Sequence, residues 1–185
     1  MLKIYIANLG KYNEGELVGK WVELPCEDLD EVLKEIEVVD GTAYEEYAIH
    51  DYESDIEGLN IGEYDNIFSL NEIAEKLNEL SDYDKSWLEA YLDASGEDLL
   101  TALEQFEDDS YFYKDMTLED VAEELVSEGC FGHIPDSIAI YIDYAAIARD
   151  LECDSYFETK QGVIYLCWSK RLQSASVSRG IASRL

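Results

Sequence analysis

Residues 2–9 place Leu2, Ile4 and Ile6 at every second position with Tyr5 between them, a period of two that predicts a strand. Glu16–Leu24, which holds Val18, Trp21 and Val22, predicts a second strand, and Gly10–Gly15 supplies the turn between the two. After Pro25 the period lengthens. Leu29, Val32, Leu33 and Ile36 recur at helical spacing while Asp28, Asp30, Glu31, Glu35 and Glu37 fill the other positions, which predicts a helix with an acidic back. Tyr44–Tyr52, with Tyr47 and Ile49, adds a third strand and completes a ββαβ unit ending near Asn60.

Three helical patterns follow in close succession. Ser69 with Glu72 reads as a capping box, after which Leu70, Ile73, Ala74, Leu77 and Leu80 share one face and Glu72, Glu75 and Glu79 another. A second helix over Asp84–Ala94 buries Trp87, Leu88, Tyr91 and Leu92 and stops at Gly96. A third over Glu97–Phe106 turns Leu99, Leu100, Leu103 and Phe106 inward and Asp98, Glu104 and Glu107 outward. Beyond Asp109 the pattern is mixed: a strand at Tyr111–Tyr113, a helix from the Thr117/Asp120 cap to Glu128 ended by Gly129, a helix over Asp143–Leu151, and a hairpin of Tyr156–Thr159 and Val163–Trp168 around Lys160-Gln161-Gly162.

The expected fold class is therefore α+β, as three small subdomains: a ββαβ-like unit at 1–61, an acidic helical unit at 62–103, and a mixed unit with a terminal hairpin at 104–168. Residues 169–185 are rich in Ser, Ala and Arg without aromatics, and read as a poorly ordered basic tail.

Charge changes the picture most. Forty-three Asp and Glu against 13 Lys and Arg leave a formal −30, and because the last 25 residues hold four bases and no acid, the preceding 160 carry the entire acidic excess. Direct binding of nucleic acid or an anionic membrane is excluded, since both need a basic footprint. Fourteen Tyr, five Phe and three Trp also exclude a disordered acidic tail. No run of about 18 apolar residues and no signal-peptide core occur, so a soluble, unexported, cytoplasmic protein is expected. The widely spaced Cys26, Cys130, Cys153 and Cys167 read as free thiols.

Motifs for chemistry fail individually. Cys130 and His133 have half the spacing of a zinc site, with no second half to supply the other ligands. Gly15-Glu16-Leu17-Val18-Gly19-Lys20-Trp21 lacks the P-loop spacing and places Trp21 where a Ser or Thr should meet magnesium. Asp51, Glu53 and Asp55 open like a calcium loop, but Ile56 and Gly62 stand where Gly and Glu are required. There is no dinucleotide fingerprint and no nucleophile elbow. The expectation is a protein that is not an enzyme, with no cofactor and no metal. Tyr44, Tyr47, Tyr52, Tyr111, Tyr113, Tyr141 and Tyr144 are read as core packers.

The arrangement of the acids remains to be explained. Carboxylates at i, i+3 and i+4 on a helix lie about 4.5 to 6 Å apart along its axis, whereas duplex DNA shows about one charge per 1.7 Å counting both strands. A few parallel acidic stripes approach that density. Between residues 35 and 113 only Lys76 and Lys85 interrupt 24 acids. The candidate partner-binding carboxylates are Asp30, Glu31, Glu35, Glu72, Glu75, Glu79, Asp98, Glu104, Glu107, Glu119 and Glu123. Three uses remain open on composition: imitation of DNA before a basic groove, solvation of a halophilic protein, or an acidic module or chaperone for basic proteins.

Three segments carry a resemblance. Ile4-Tyr5-Ile6-Ala7-Asn8-Leu9-Gly10-Lys11-Tyr12-Asn13-Glu14-Gly15, Tyr44-Glu45-Glu46-Tyr47-Ala48-Ile49-His50-Asp51-Tyr52-Glu53 and Tyr141-Ile142-Asp143-Tyr144 resemble the ArdA family of antirestriction proteins, carried by plasmids and conjugative transposons. The resemblance runs from Leu2 to about Trp168. It implies an elongated, three-part, homodimeric DNA mimic that blocks type I restriction–modification enzymes at the methyltransferase core and specificity subunit. It supplies no catalytic residues, and the basic segment 170–185 departs from it. The resemblance also puts the dimer contact in the third part. There the run Ile138-Ala139-Ile140-Tyr141-Ile142, and within it Ile138, Ile140, Tyr141 and Ile142, is a candidate seam, with ordinary core as the alternative. Two chains at −30 each would match roughly 100 Å of duplex, more than the ~40 Å breadth of one 185-residue globule.

Overall fold

The structure, a computed structural model, describes residues 1–167. By spatial contact the chain falls into two compact units, divided between Lys85 and Ser86. Each holds a three-stranded antiparallel sheet, so the class is α+β as expected.

In the first unit β1 (Leu2–Asn8) is the central strand between β2 (Gly19–Leu24) and β3 (Tyr47–Ser54), and both neighbours run antiparallel to it. β2 and β3 are thus parallel to each other, and α2 (Leu29–Glu35) makes the crossover between them. The period of two decides the faces. Leu2, Ile4 and Ile6 are buried together with Val22, Leu24 and Ile49, while Lys3 and Tyr5 look the other way. Tyr5 pairs with Asp51 but Ile6 pairs with Ile49, which leaves His50 as an extra residue in β3, a bulge.

Gly10–Gly15 is not the simple turn that its composition suggested. Leu9–Asn13 forms a short helix, α1, because Asn8 caps it: the Asn8 side-chain oxygen accepts from the Lys11 backbone N–H at 3.0 Å. The strand after it accordingly starts at Gly19 rather than Glu16. Asn8 is fully buried, and its amide nitrogen donates to the carbonyls of Ile36 (3.2 Å) and Glu37 (2.9 Å) just past α2. Those bonds hold Glu37 at φ 61°, a left-handed position usually given to glycine, and Lys11 forms an ion pair with its carboxylate.

α3 (Ile67–Glu79) starts two residues before Ser69, which overturns the expected Ser69/Glu72 capping box. Asn66 is the cap, accepting from the N–H groups of Phe68 (2.9 Å) and Ser69 (3.2 Å). The apolar face is as expected: Ile67, Leu70, Ile73, Ala74 and Leu77 are buried.

The unit boundary falls within α4 (Asp82–Ser95). In the second unit the remainder of α4, from Ser86, and α5 (Leu99–Asp109) precede β4 (Ser110–Lys114). Trp87 packs edge-on against Phe106 at 5.4 Å and parallel to Phe112 at 6.4 Å, and its indole N–H donates to the Ser110 hydroxyl at 2.8 Å. Leu100, expected inward, is exposed. α6 (Leu118–Ser127), the single turn α7 (Asp136–Ala139) and α8 (Tyr144–Glu152) lead to the hairpin of β5 (Tyr156–Thr159) and β6 (Gly162–Leu166). β6 is central, between β4 and β5. Val121, Ala122, Leu125, Leu151 and Val163 are its shared core with α6 and α8. Gly162 sits at φ 138°, where an added Cβ would lie 2.2 Å from the Tyr113 carbonyl oxygen, so glycine is required for the hairpin to close on β4. Trp168 and the 169–185 tail lie outside the described residues.

Replacing Asn8 by Ala removes one helix cap and leaves two carbonyls, the buried one of Ile36 and the partly buried one of Glu37, without this donor. The expected loss is about 2 kcal/mol in urea-unfolding stability. A loss under about 0.5 kcal/mol would show that this junction does not depend on Asn8.

Candidate functional site

All eleven nominated carboxylates are exposed, and four helices carry ten of them. α2 bears Asp30, Glu31 and Glu35, α3 bears Glu72, Glu75 and Glu79, α5 bears Glu104 and Glu107, and α6 bears Glu119 and Glu123. The cause is the amphipathic period: once apolar side chains take the inner stripe, i+3 and i+4 acids are left facing water in rows. Glu72 and Glu75 are separated by about 4.5 Å along the axis and Glu75 and Glu79 by about 6 Å, from the helical rise.

The carboxylates are not equally available. Glu31 forms an ion pair with Lys34 at 3.3 Å, and Glu35 with Lys20. Asp98 lies outside the expected helix face and is instead the cap of α5, accepting from the Thr101 N–H at 3.1 Å and the Thr101 hydroxyl at 2.7 Å. Those bonds hold its carboxyl below the ordinary aspartate range. Glu119 and Glu123 follow the expected capping box, in which Asp120 accepts from the Thr117 hydroxyl (2.7 Å) and N–H (2.8 Å), and the same bonds lower the Asp120 pKa.

Ile138, Ile140 and Tyr141 are 52%, 80% and 79% exposed, which removes ordinary core as their explanation. Only Ile142 is half-buried, in an open groove with Val126, Ile134, Ala139 and Tyr144. Tyr111, also read as a packer, is exposed on β4.

The family model described as antirestriction protein (ArdA) matches residues 4–165. The chain belongs to the ArdA family. That match spans both units, from β1 to β6, and fixes the broad function as antirestriction. No match was found among curated proteins. No helix among the described residues is long and apolar enough to cross a membrane.

The apolar pattern of this ArdA chain does not by itself reveal the open face of the first sheet. Trp21 counts among the apolar strand residues, yet it is 42% exposed. The signal was available, because Val22 and Leu24 point inward and a period of two then puts Trp21 outward beside Glu23. Trp21 and Asp51 are the register partners of Tyr5, and one row along the same face Lys3 stands between Glu23 and Glu53. Asp51 and Glu53, read as the start of a calcium-loop mimic, therefore alternate along a strand, and Asp55 forms an ion pair with the N-terminal ammonium. Gly19 has a local use after all: a Cβ there would come within 2.8 Å of the Tyr5 ring, which leans over it.

Because the folded pKa of Asp120 is depressed, its cap contributes stability at neutral pH that is lost as pH falls from the ordinary aspartate range through the lower folded value. Melts of the wild type and Asp120→Asn are expected to differ at pH 7 and converge at the acid end. A gap that stays constant with pH would contradict the role of the ionised cap.

Proposed function

We propose that the protein inhibits a type I restriction–modification enzyme by setting helix-borne carboxylates where the phosphates of DNA would lie, against the methyltransferase core and specificity subunit. The observation that carries this reading is the exposure of rows of acids on α2, α3, α5 and α6 in a member of an antirestriction family. The mechanism is occupancy. Lysines and arginines that would neutralise phosphates meet Glu72, Glu75 and Glu79 or their counterparts, without catalysis, cofactor, metal or direct contact with nucleic acid. The protein would act in the cytoplasm, as a homodimer joined through Ile138, Ile140, Tyr141 and Ile142. The division at residues 61 and 103 belongs to this proposal.

Exposed ion pairs contribute only about 0 to 1 kcal/mol each, so the binding is distributed. In competition with duplex DNA for a purified type I methyltransferase core, single Glu→Gln changes at Glu72, Glu75 or Glu79 should weaken inhibition by no more than about fivefold. Reversing all three to Lys should cost on the order of 100-fold. Abolition by one substitution in a folded chain, or undisturbed DNA binding in the presence of the wild type, would refute the mimic. Equal binding to an unrelated basic protein would favour a general acidic chaperone.

The dimer has its own test. Ile140→Asp with Tyr141→Asp changes only exposed positions, so the fold should survive while the solution mass falls to that of one chain. An unchanged dimer mass would place the seam elsewhere.

A further inference from the structure

The open face of the first sheet carries four rings in sequence. Trp21 meets Tyr5 edge-on at 5.6 Å, Tyr5 and His50 are 6.4 Å apart and tilted, and His50 meets Tyr12 edge-on at 4.4 Å. Two elements bring them there. The bulge lifts His50 out of the β3 ladder, and α1, held by its Asn8 cap, lays Tyr12 against it. The ends of the array are open to water, with Trp21 42% and Tyr12 51% exposed. Beside it Tyr12, His50, Asp51 and Glu63 line an open groove, and its outer wall is fixed because the Glu63 carbonyl accepts from the Ile49 N–H at 2.8 Å.

We propose that this face is a receptor for an arginine side chain of the basic protein that the carboxylates meet. Exposed aromatic rings next to carboxylates offer what a guanidinium uses and a hydrated ammonium uses less well: π faces to stack on and oxygens for its planar fork of donors. Charge complementarity fixes the sign of the occupant, since Asp51 and Glu63 stand at the groove on a chain of net −30. The inference deepens the proposed function: it adds one aromatic anchor with a preference for arginine to a surface that otherwise recognises charge alone.

The test titrates the full chain with a tetra-arginine and a tetra-lysine peptide at one ionic strength, following the indole N–H resonance of Trp21, assigned by its loss in Trp21→Phe. The arginine peptide should shift that resonance saturably and bind at least about fivefold more tightly than the lysine peptide. Trp21→Leu and Tyr12→Ala, both at exposed positions, should each lower the arginine affinity about tenfold without changing the circular dichroism spectrum. Equal affinity for the two peptides, or arginine binding unaffected by either substitution, would overturn the site. No restriction enzyme enters the titration. A chain that competes with DNA but shows no arginine preference would keep the acidic mechanism and lose this site, and the reverse outcome would do the opposite.

Discussion

Forty-three carboxylates on 185 residues repel one another, and the fold exists only because apolar burial exceeds that repulsion. The sequence meets this constraint by strict segregation. Among the described residues the buried set is aliphatic and aromatic apart from Cys167, Asn8 and Ser110, and no Asp, Glu, Lys or Arg is in it. Both buried polar residues are bonded, Asn8 to three backbone groups and Ser110 to Trp87 and the Phe106 carbonyl. Every acid is thereby pushed to the solvent side, where it costs least and where a partner can reach it.

Four of the seven cationic groups of the first unit are spent on its architecture. Lys11 is paired with Glu37 and lies over the Tyr44 ring, Lys20 ties β2 to α2 through Glu35, Lys34 pairs along α2 with Glu31, and the terminal ammonium meets Asp55. The contribution to stability of the pairs at Lys20, Lys34 and the terminal ammonium is small because both members of each are about half exposed or more. Their effect on the surface is larger, since Glu31 and Glu35 are partly neutralised while the carboxylates of α3 keep a row of their own. In the proposed function a surface built from such a gradient of availability would recognise density of charge before shape, and the aromatic patch would add the selectivity that charge lacks.

Most elements were legible in the sequence: β1 from alternation, β2 and β3 from their β-forming residues, α2 and α3 from the helical stripe, α6 from its Thr117/Asp120 cap and Gly129 stop, and the closing hairpin from the turn at Lys160-Gln161-Gly162. Termini were harder wherever a polar side chain decided them. Asn66 moved the start of α3 away from Ser69, and Asn8 turned a glycine-flanked segment into α1, because a cap is a local bond that apolar periodicity does not register. The exposure of the acids followed from the same stripe that placed the helices. The ring array did not, because it needs the bulge at His50, which only the pairing of β1 with β3 creates. Leu100, Tyr111 and Tyr141 were misplaced for a related reason: an apolar residue in an apolar run is core only if another element covers it.

The central claim is that carboxylates stand in for phosphates, and the salt dependence of the complex tests it most directly. Affinity for a type I methyltransferase core should be measured from 50 to 300 mM salt beside that of duplex DNA for the same enzyme. If the claim holds, the logarithm of the inhibitor's affinity falls steeply and linearly with the logarithm of salt concentration, as it does for DNA. An affinity that stays flat over that range while the DNA complex weakens would show that the acids do not make the contact.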